Sequence, residues 1–473
     1  MGCSMSKKIS DTDIVTGKIP VVSKLAYGLG DASSTLLRIV IMTYLTYFYT
    51  DVAQLDPFAV GTMMLVTQII NLLSGPVIGV LVDNTHTKKG KSRPWFAGVA
   101  IPLGLFGALC FFTPNLSAGW RLAFAYITYN GYNIANNALH IPLGAILPNM
   151  STDPNERQSA NSWRMTIGQL AGAVASLITV PLVTFFGQGN ERLGYSSTTI
   201  VYGIFATVCC FFCYVAIHEN ISDTTKPKVE DKRAKGGFLK NLSTLRHNVP
   251  LYVILVADFA NGLFTAMANS GMMYYLKYHV QNVGLMPTLS VLSYLSVFVI
   301  AVVPKLNKRF SKRNIFACGL VANLLARLIV SLAPVNIPVL YLAMVINGLS
   351  LGCGLGLMYT MIADCIDCGE YVNGMRGEGI TYSLSSVLEG IAIGVSGAIT
   401  GGVLEAGGYV ANATSQTASA MFAIDSVFLY IPMICSVIML IALAFYRLDP
   451  KLPEIEKALA ERREEAASND EAQ

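Results

Sequence analysis

The sequence predicts an all-α membrane protein with twelve transmembrane helices in two six-helix bundles. Three observations carry that expectation. Hydrophobic residues make up 53% of the 473 residues and charged ones only 13%, against roughly 25% charged in a soluble domain. Apolar stretches of about 20 residues recur, each long enough to cross a hydrocarbon core of roughly 30 Å. The positive charge, net +4, sits in short blocks between apolar runs. That placement serves membrane topology and is no nucleic-acid signature.

The apolar runs lie near 25–50, 57–82, 95–113, 121–148, 163–186, 198–218, 250–275, 285–304, 314–332, 338–362, 380–403 and 424–447. Glycine and proline inside them are no objection, because membrane helices tolerate both. Small-residue pairs such as Gly168 with Gly172 and Gly348 with Gly352 suit close helix approach.

Basic residues orient the chain. Lys88, Lys89, Lys91 and Arg93 follow the second run. Lys226 to Arg246 supply seven after the sixth, and Lys305 to Arg313 five after the eighth. These loops are expected in the cytoplasm, with both termini. The expected organisation is a cytoplasmic tail over 1–24, a six-helix bundle over 25–218, a cytoplasmic loop over 219–249, a second bundle over 250–447 and a tail over 448–473. Each bundle places a basic loop after its second run. Two related bundles around a midplane cavity is the plan of the major facilitator superfamily, a multi-pass protein of the cytoplasmic (inner) membrane.

Enzyme motifs are lacking. Gly90–Ser92 reads like the end of a phosphate loop, but Thr85 stands where its first glycine belongs. No nucleophile elbow, H-E-x-x-H or dinucleotide fingerprint occurs. Cys365 and Cys368 form one C-x-x-C without a second pair, so structural zinc is not expected. No cofactor and no metal are implied. The N-terminus is polar and is not a secretory signal. Its M-G-x-x-x-S pattern is read as a chance match to the myristoylation motif.

Polar residues inside the runs are more informative, because a charge at the bilayer centre costs about 2.5–3.5 kcal/mol unless it faces a cavity or a partner. Tyr27, Asp31, Thr35 and Arg38 recur at helical spacing in the first run. The fourth has Tyr129, Asn133, Asn136, Asn137 and His140. The seventh has Asp258, Asn261, Thr265 and Asn269, and the eleventh has Tyr382, Ser386 and Glu389. Interhelical hydrogen bonding explains any one of them. Four polar seams together predict a shared aqueous cavity, and amides, hydroxyls and tyrosines suit a polyhydroxylated solute. Arg38 and Arg164 add a fork for a carboxylate.

Two stretches carry a family resemblance. One runs from Gly79 and Asp83 into K-K-G-K-S-R-P-W at Lys88–Trp95. The other is D-C-I-D-C-G-E-Y-V-N-G-M-R-G-E-G-I-T-Y-S at Asp364–Ser383. With Y-G-L-G-D at Tyr27–Asp31 and Y-T-D at Tyr49–Asp51, the chain resembles the glycoside–pentoside–hexuronide:cation symporters over essentially all its runs. The resemblance implies uptake of a glycoside or related sugar by alternating access, coupled to a cation, in a monomer. It places His140 where members carry a sugar-contacting aspartate, and Tyr359 where relatives carry a tryptophan that stacks on sugar. Arg164 matches a cavity arginine. Asp83, Lys88 and Arg93 fall in the gate motif, and Asp364 and Arg376 in the second signature.

The departures bear on coupling. Where sodium-coupled members carry two aspartates in the second helix, this chain has Asn71 and Gly75. A hard cation wants carboxylates for charge as well as oxygen. The lysine expected in the eleventh run is replaced at Leu388, beside Glu389. Proton coupling through Asp31, Asp258 or Glu389 is the expectation, with His140 as another titratable group. The alternative is a uniporter, exchanger or exporter of a non-sugar solute such as an organic anion, steroid conjugate or drug. The expected partners are a small-molecule substrate, a proton and the lipid bilayer.

Overall fold

The computed structural model describes residues 18–85, 87, 90–151, 153–219, 248–374, 377–413, 415–455, 457–459 and 461. The candidate gate residues Lys88 and Arg376 lie outside the described residues, as do the M-G-x-x-x-S stretch and most of the central basic loop. The chain divides into two compact units, Met1–Val229 and Glu230–Gln473.

The first unit holds α1 (Val21–Tyr47), α2 (Pro57–Asp83), α3 (Arg93–Leu109), α4 (Ala118–Met150), α5 (Pro154–Gly187) and α6 (Glu191–Ala216). The second holds α7 (Val249–Tyr278), a broken α8 (Met286–Val291, a 3-10 turn Leu292–Leu295, then Ser296–Leu306), α9 (Lys312–Leu332), α10 (Ile337–Asn373) and α11 (Glu378–Ala406). Last comes α12, in which Ala418–Asp425 and Ile431–Phe445 flank a π turn at Ser426–Tyr430. Another π turn, Phe48–Val52, ends α1 and contains the Y-T-D stretch. Nine helices among the described residues are long and apolar enough to cross a bilayer. The others of the twelve are α1, α3 and α4. With 17 residues α3 is short. By contrast α1 and α4, at 27 and 33 residues, are long enough, but their polar seams dilute the apolar content.

Capping groups set several helix ends beyond the apolar runs. Asp153 accepts from the Asn155 amide at 2.9 Å and opens α5 nine residues before the expected 163. Gly374, with φ 69°, closes α10 in the left-handed conformation that glycine adopts without penalty. The Asp364–Asn373 part of the second signature is therefore helix, not loop.

Close backbone approach packs the helices within each unit, as expected where lipid is as apolar as leucine. In the first, Gly104 of α3 and Gly203 of α6 each face the other's carbonyl so tightly that a Cβ would clash. In the second, Gly348 and Gly352 of α10 lie against the carbonyls of Leu292 and Ser296, at the break in α8. Its core gathers Leu251, Ile254, Phe264, Phe316, Leu357 and Met361. Leu73, Val77, Val80 and Leu81 of α2 remain exposed, a face suited to lipid.

Candidate substrate and ion sites

In the first unit three helices bring the predicted residues together. Asp31 on α1 lies 3.8 Å from Arg164 Nη1 on α5. The Arg164 guanidinium lies over the Tyr27 ring, 5.6 Å from its centroid. Gly168, one turn beyond Arg164, permits this. The Asp31 carboxylate occupies the space its Cβ would fill. Arg164 Nε is buried without a hydrogen-bond partner among the described residues. Ser34 Oγ donates to Asn136 Oδ1 at 2.5 Å and meets His140 Nε2 at 2.7 Å. Arg38 is exposed and contacts Met42 Sδ at 4.0 Å. Its charge, with that of Arg164, acts on both Asp31 and His140.

The α4 seam is not one face. Asn136 and His140 turn to Ser34 of α1, whereas Asn137 turns to α2. Its Nδ2 donates to Asn71 Oδ1 at 2.7 Å and Ser74 Oγ at 2.9 Å. Asn130 Nδ2 donates to Thr67 Oγ1 at 3.1 Å two turns away. These neutral amides and hydroxyls lie at the level of Asn71 on α2, and a Cβ on Gly75 would meet open space. Asn133 is spent on its own helix, donating to the Tyr129 carbonyl at 2.8 Å, and Tyr129 is buried. Thus Asn137 and Asn133 stand apart from the group around Ser34.

In the second unit Asp258 of α7 is buried and accepts from Ser385 Oγ of α11 at 2.5 Å. The neighbour of Ser385, Ser386, which is the residue singled out in the sequence, is exposed. Glu389 is exposed on α11, and Tyr359 of α10 is 57% exposed. Tyr359 is within electrostatic reach of Glu389, Asp258 and Tyr382.

The gate candidates cluster at the basic-loop end of each unit. Asp83 lies 3.5 Å from Lys91 Nζ, but its side chain is 78% exposed, so the pair is weak. Stronger bonds converge on Glu219, which the predicted gate set omitted. Its carboxylate accepts from the amides of Lys91, Ser92 and Arg93 at 3.1, 2.7 and 3.2 Å. Arg93 Nη2 donates to the Tyr214 carbonyl at 2.9 Å. In the second unit Lys312 Nζ meets Asp364 Oδ2 at 2.5 Å. Asp449 accepts from the Arg313 amide at 3.1 Å. Ser34, Ser385, Glu219 and Asp449 gave no signal of their own. Each of these partners lies more than 100 residues away in the chain.

A cavity of about 620 Å³ lies between α11 and α12, lined by Val403, Phe422, Tyr430 and Ile434. It holds none of the polar candidates, and its apolar wall suits acyl chains, not a sugar.

The fold is that of a major facilitator transporter. A bacterial homologue of the human lysosomal transporter Spinster, inward-facing, aligns at TM-score 0.66 over 91% of this chain and 96% of that one, with 14% identity. That likeness concerns the fold alone. The family model described as MFS/sugar transport protein matches residues 26–450. The isoprimeverose transporter of Lactiplantibacillus pentosus is 32% identical over 92% of this chain and 91% of its own length. The glucuronide carrier protein homolog of Escherichia coli K12 is 27% identical over 91% and 93%. This chain belongs to the glycoside–pentoside–hexuronide:cation symporter family of the major facilitator superfamily, whose members are membrane transporters and not enzymes.

Proposed function

We propose that the protein imports a sugar, glycoside or hexuronide across the cytoplasmic membrane by alternating access, with both termini in the cytoplasm. The observation that carries this reading is the group of Tyr27, Asp31, Ser34, Asn136, His140 and Arg164 on α1, α4 and α5. It offers donors, acceptors and an aromatic face at the bilayer level, with the Arg164 Nε left for a ligand oxygen. Tyr359 and Ser386, exposed on α10 and α11 of the second unit, are proposed substrate-binding residues of that unit. Asp83 with Lys91 and Asp364 with Lys312 are proposed gate pairs. Counterflow in proteoliposomes with neutral glycosides, uronides and organic anions tests the substrate class. Exchange of a glycoside or uronide is expected, and exchange of none of them sinks the reading.

The coupling ion is proposed to be a proton carried by Asp31, Asp258 or Glu389. Support comes from the contact of α2 with α4, where Asn71 and Ser74 bond to each other and to Asn137. Accumulation is expected to follow an imposed pH gradient and to ignore sodium. Accumulation driven by sodium alone refutes this.

A second reading is favoured by Arg38. It makes no ion pair among the described residues, while Asp31 is already beside Arg164. A substrate with a carboxylate would complete it. Arg38→Gln should then weaken uronide counterflow and spare neutral glycosides.

A further inference from the structure

We propose that His279 and Asp425 form a proton-binding site at the end of the second unit opposite the Lys312 and Asp364 pair, and that its protonation sets how tightly α7 is held to α12. The end is defined by the helices. Asn248, which caps the start of α7, donates to the Cys365 carbonyl at 2.7 Å, beside Asp364. His279 follows the last residue of α7, and Asp425 closes the first segment of α12. Neither belongs to a polar seam.

His279 Nε2 and Asp425 Oδ1 approach to 2.8 Å, with the side chains 14% and 18% exposed. Both atoms are shut off from solvent, and neither has a hydrogen-bond partner among the described residues. At that distance a lone pair on the ring nitrogen and one on the carboxylate oxygen repel, so the neutral contact is unfavourable. With the ring doubly protonated, the contact becomes an ion pair at the carboxyl end of α7, where the helix dipole favours a cation.

The surroundings connect this pair to backbone geometry. Tyr275 stacks on the imidazole with centroids 5.0 Å apart and meets the Phe428 ring at a tilt, with centroids 4.7 Å apart. Asp425 directly precedes the π turn Ser426–Tyr430. Such a turn leaves a carbonyl without its helical donor and is common at functional sites. Here the Phe428 carbonyl accepts from Arg327 Nη1 of α9 at 2.5 Å. Arg327 is 5% exposed and lies 4.8 Å from the Phe264 ring centroid. It bonds Asn323 Oδ1 at 3.0 Å and pairs with no carboxylate among the described residues. A fixed cation thus holds the π turn, and a titratable pair sits one turn away.

Among the described residues, these other charged or titratable groups face this corner. From α12 comes Tyr430, and from α9 Arg327. From α7 come Tyr275 and Lys277, whose amine donates to Asn412 Oδ1 at 2.8 Å. Tyr409, after α11, shares a hydroxyl contact of 2.9 Å with Tyr278. Histidine alone among these side chains ordinarily changes charge between pH 5 and 8.

Hydrogen–deuterium exchange of the full-length protein in detergent at pH 6 and pH 8, corrected for intrinsic rates, tests the proposal without any substrate. Failure here would leave the transport reading untouched. Segments 270–283 and 418–431 are expected to be about fivefold more protected at pH 6 than at pH 8. His279→Gln and Asp425→Asn should each abolish that difference. Equal protection of the wild type at the two pH values overturns the proposal, as does His279→Gln with an unchanged pH difference. The wild-type comparison stands even if a variant fails to fold.

Discussion

The polar groups of the two units arise from the same sequence pattern and end in opposite conditions. In the first unit the seam is closed on itself. Asp31 lies against Arg164, and Ser34 joins Asn136 to His140. In the second, Asp258 is buried against Ser385, while Glu389, Ser386 and Tyr359 are exposed. The first group combines two arginines with one aspartate, the second is acidic. A closed, partly cationic group is preorganised to hold a ligand, because its side chains do not have to be ordered on binding. The acids of the second group are among the proposed proton carriers.

The largest break in this contrast should come from Arg164→Gln. It leaves Asp31 beside Tyr27 without its cation. A bond to a charged group contributes about 1.5–3 kcal/mol, so counterflow should fall roughly ten- to a hundredfold. Arg164→Lys should recover only part, since an ammonium lacks the planar fork. Counterflow equal to wild type in Arg164→Gln would remove Arg164 from the site.

Glu219→Gln is next and is read as stability. Three amides at the start of α3 lose a charged acceptor, and Ser92 makes no side-chain cap to replace it. Thermal unfolding should show a loss of about 2 kcal/mol. The matching Asp449→Asn should cost less, about 1 kcal/mol, because α9 also has Ser311 as its own cap. Equal losses would mean that the two helix starts are not held differently.

Ser34→Ala should cost about 1 kcal/mol and loosen His140 and Asn136 together. A double-mutant cycle with Asn136→Ala checks whether the hydroxyl couples them. Asp83→Asn should be smallest, below about 1 kcal/mol in unfolding, because the carboxylate is mostly in solvent. A larger loss would show that Asp83 has a partner beyond Lys91.

The seams of α1 and α4 were legible because a polar residue every third or fourth position on a greasy helix is visible in one dimension. Which helix each residue meets was not. Asn136 and Asn137 are neighbours in sequence, yet turn to α1 and α2 respectively. Ser385, and not Ser386, meets Asp258 for the same reason. A 100° step per residue decides the partner, and periodicity read without a neighbour leaves the phase open.

The resemblance to the symporter family implied that α2 lacks the carboxylates of a sodium site. The chain alone determined that twelve greasy runs form two helical units and that no catalytic motif is present. Those conclusions rest on transfer cost and residue chemistry, which need no coordinates. Tertiary structure decided the rest. It set the ends of α5 and α10, the joining of Glu219 to the start of α3, and the meeting of His279 with Asp425. Each depends on a bond between residues distant in the chain or on a local cap. The strength of such a bond is set by distance and burial, quantities that come into being only when the helices pack.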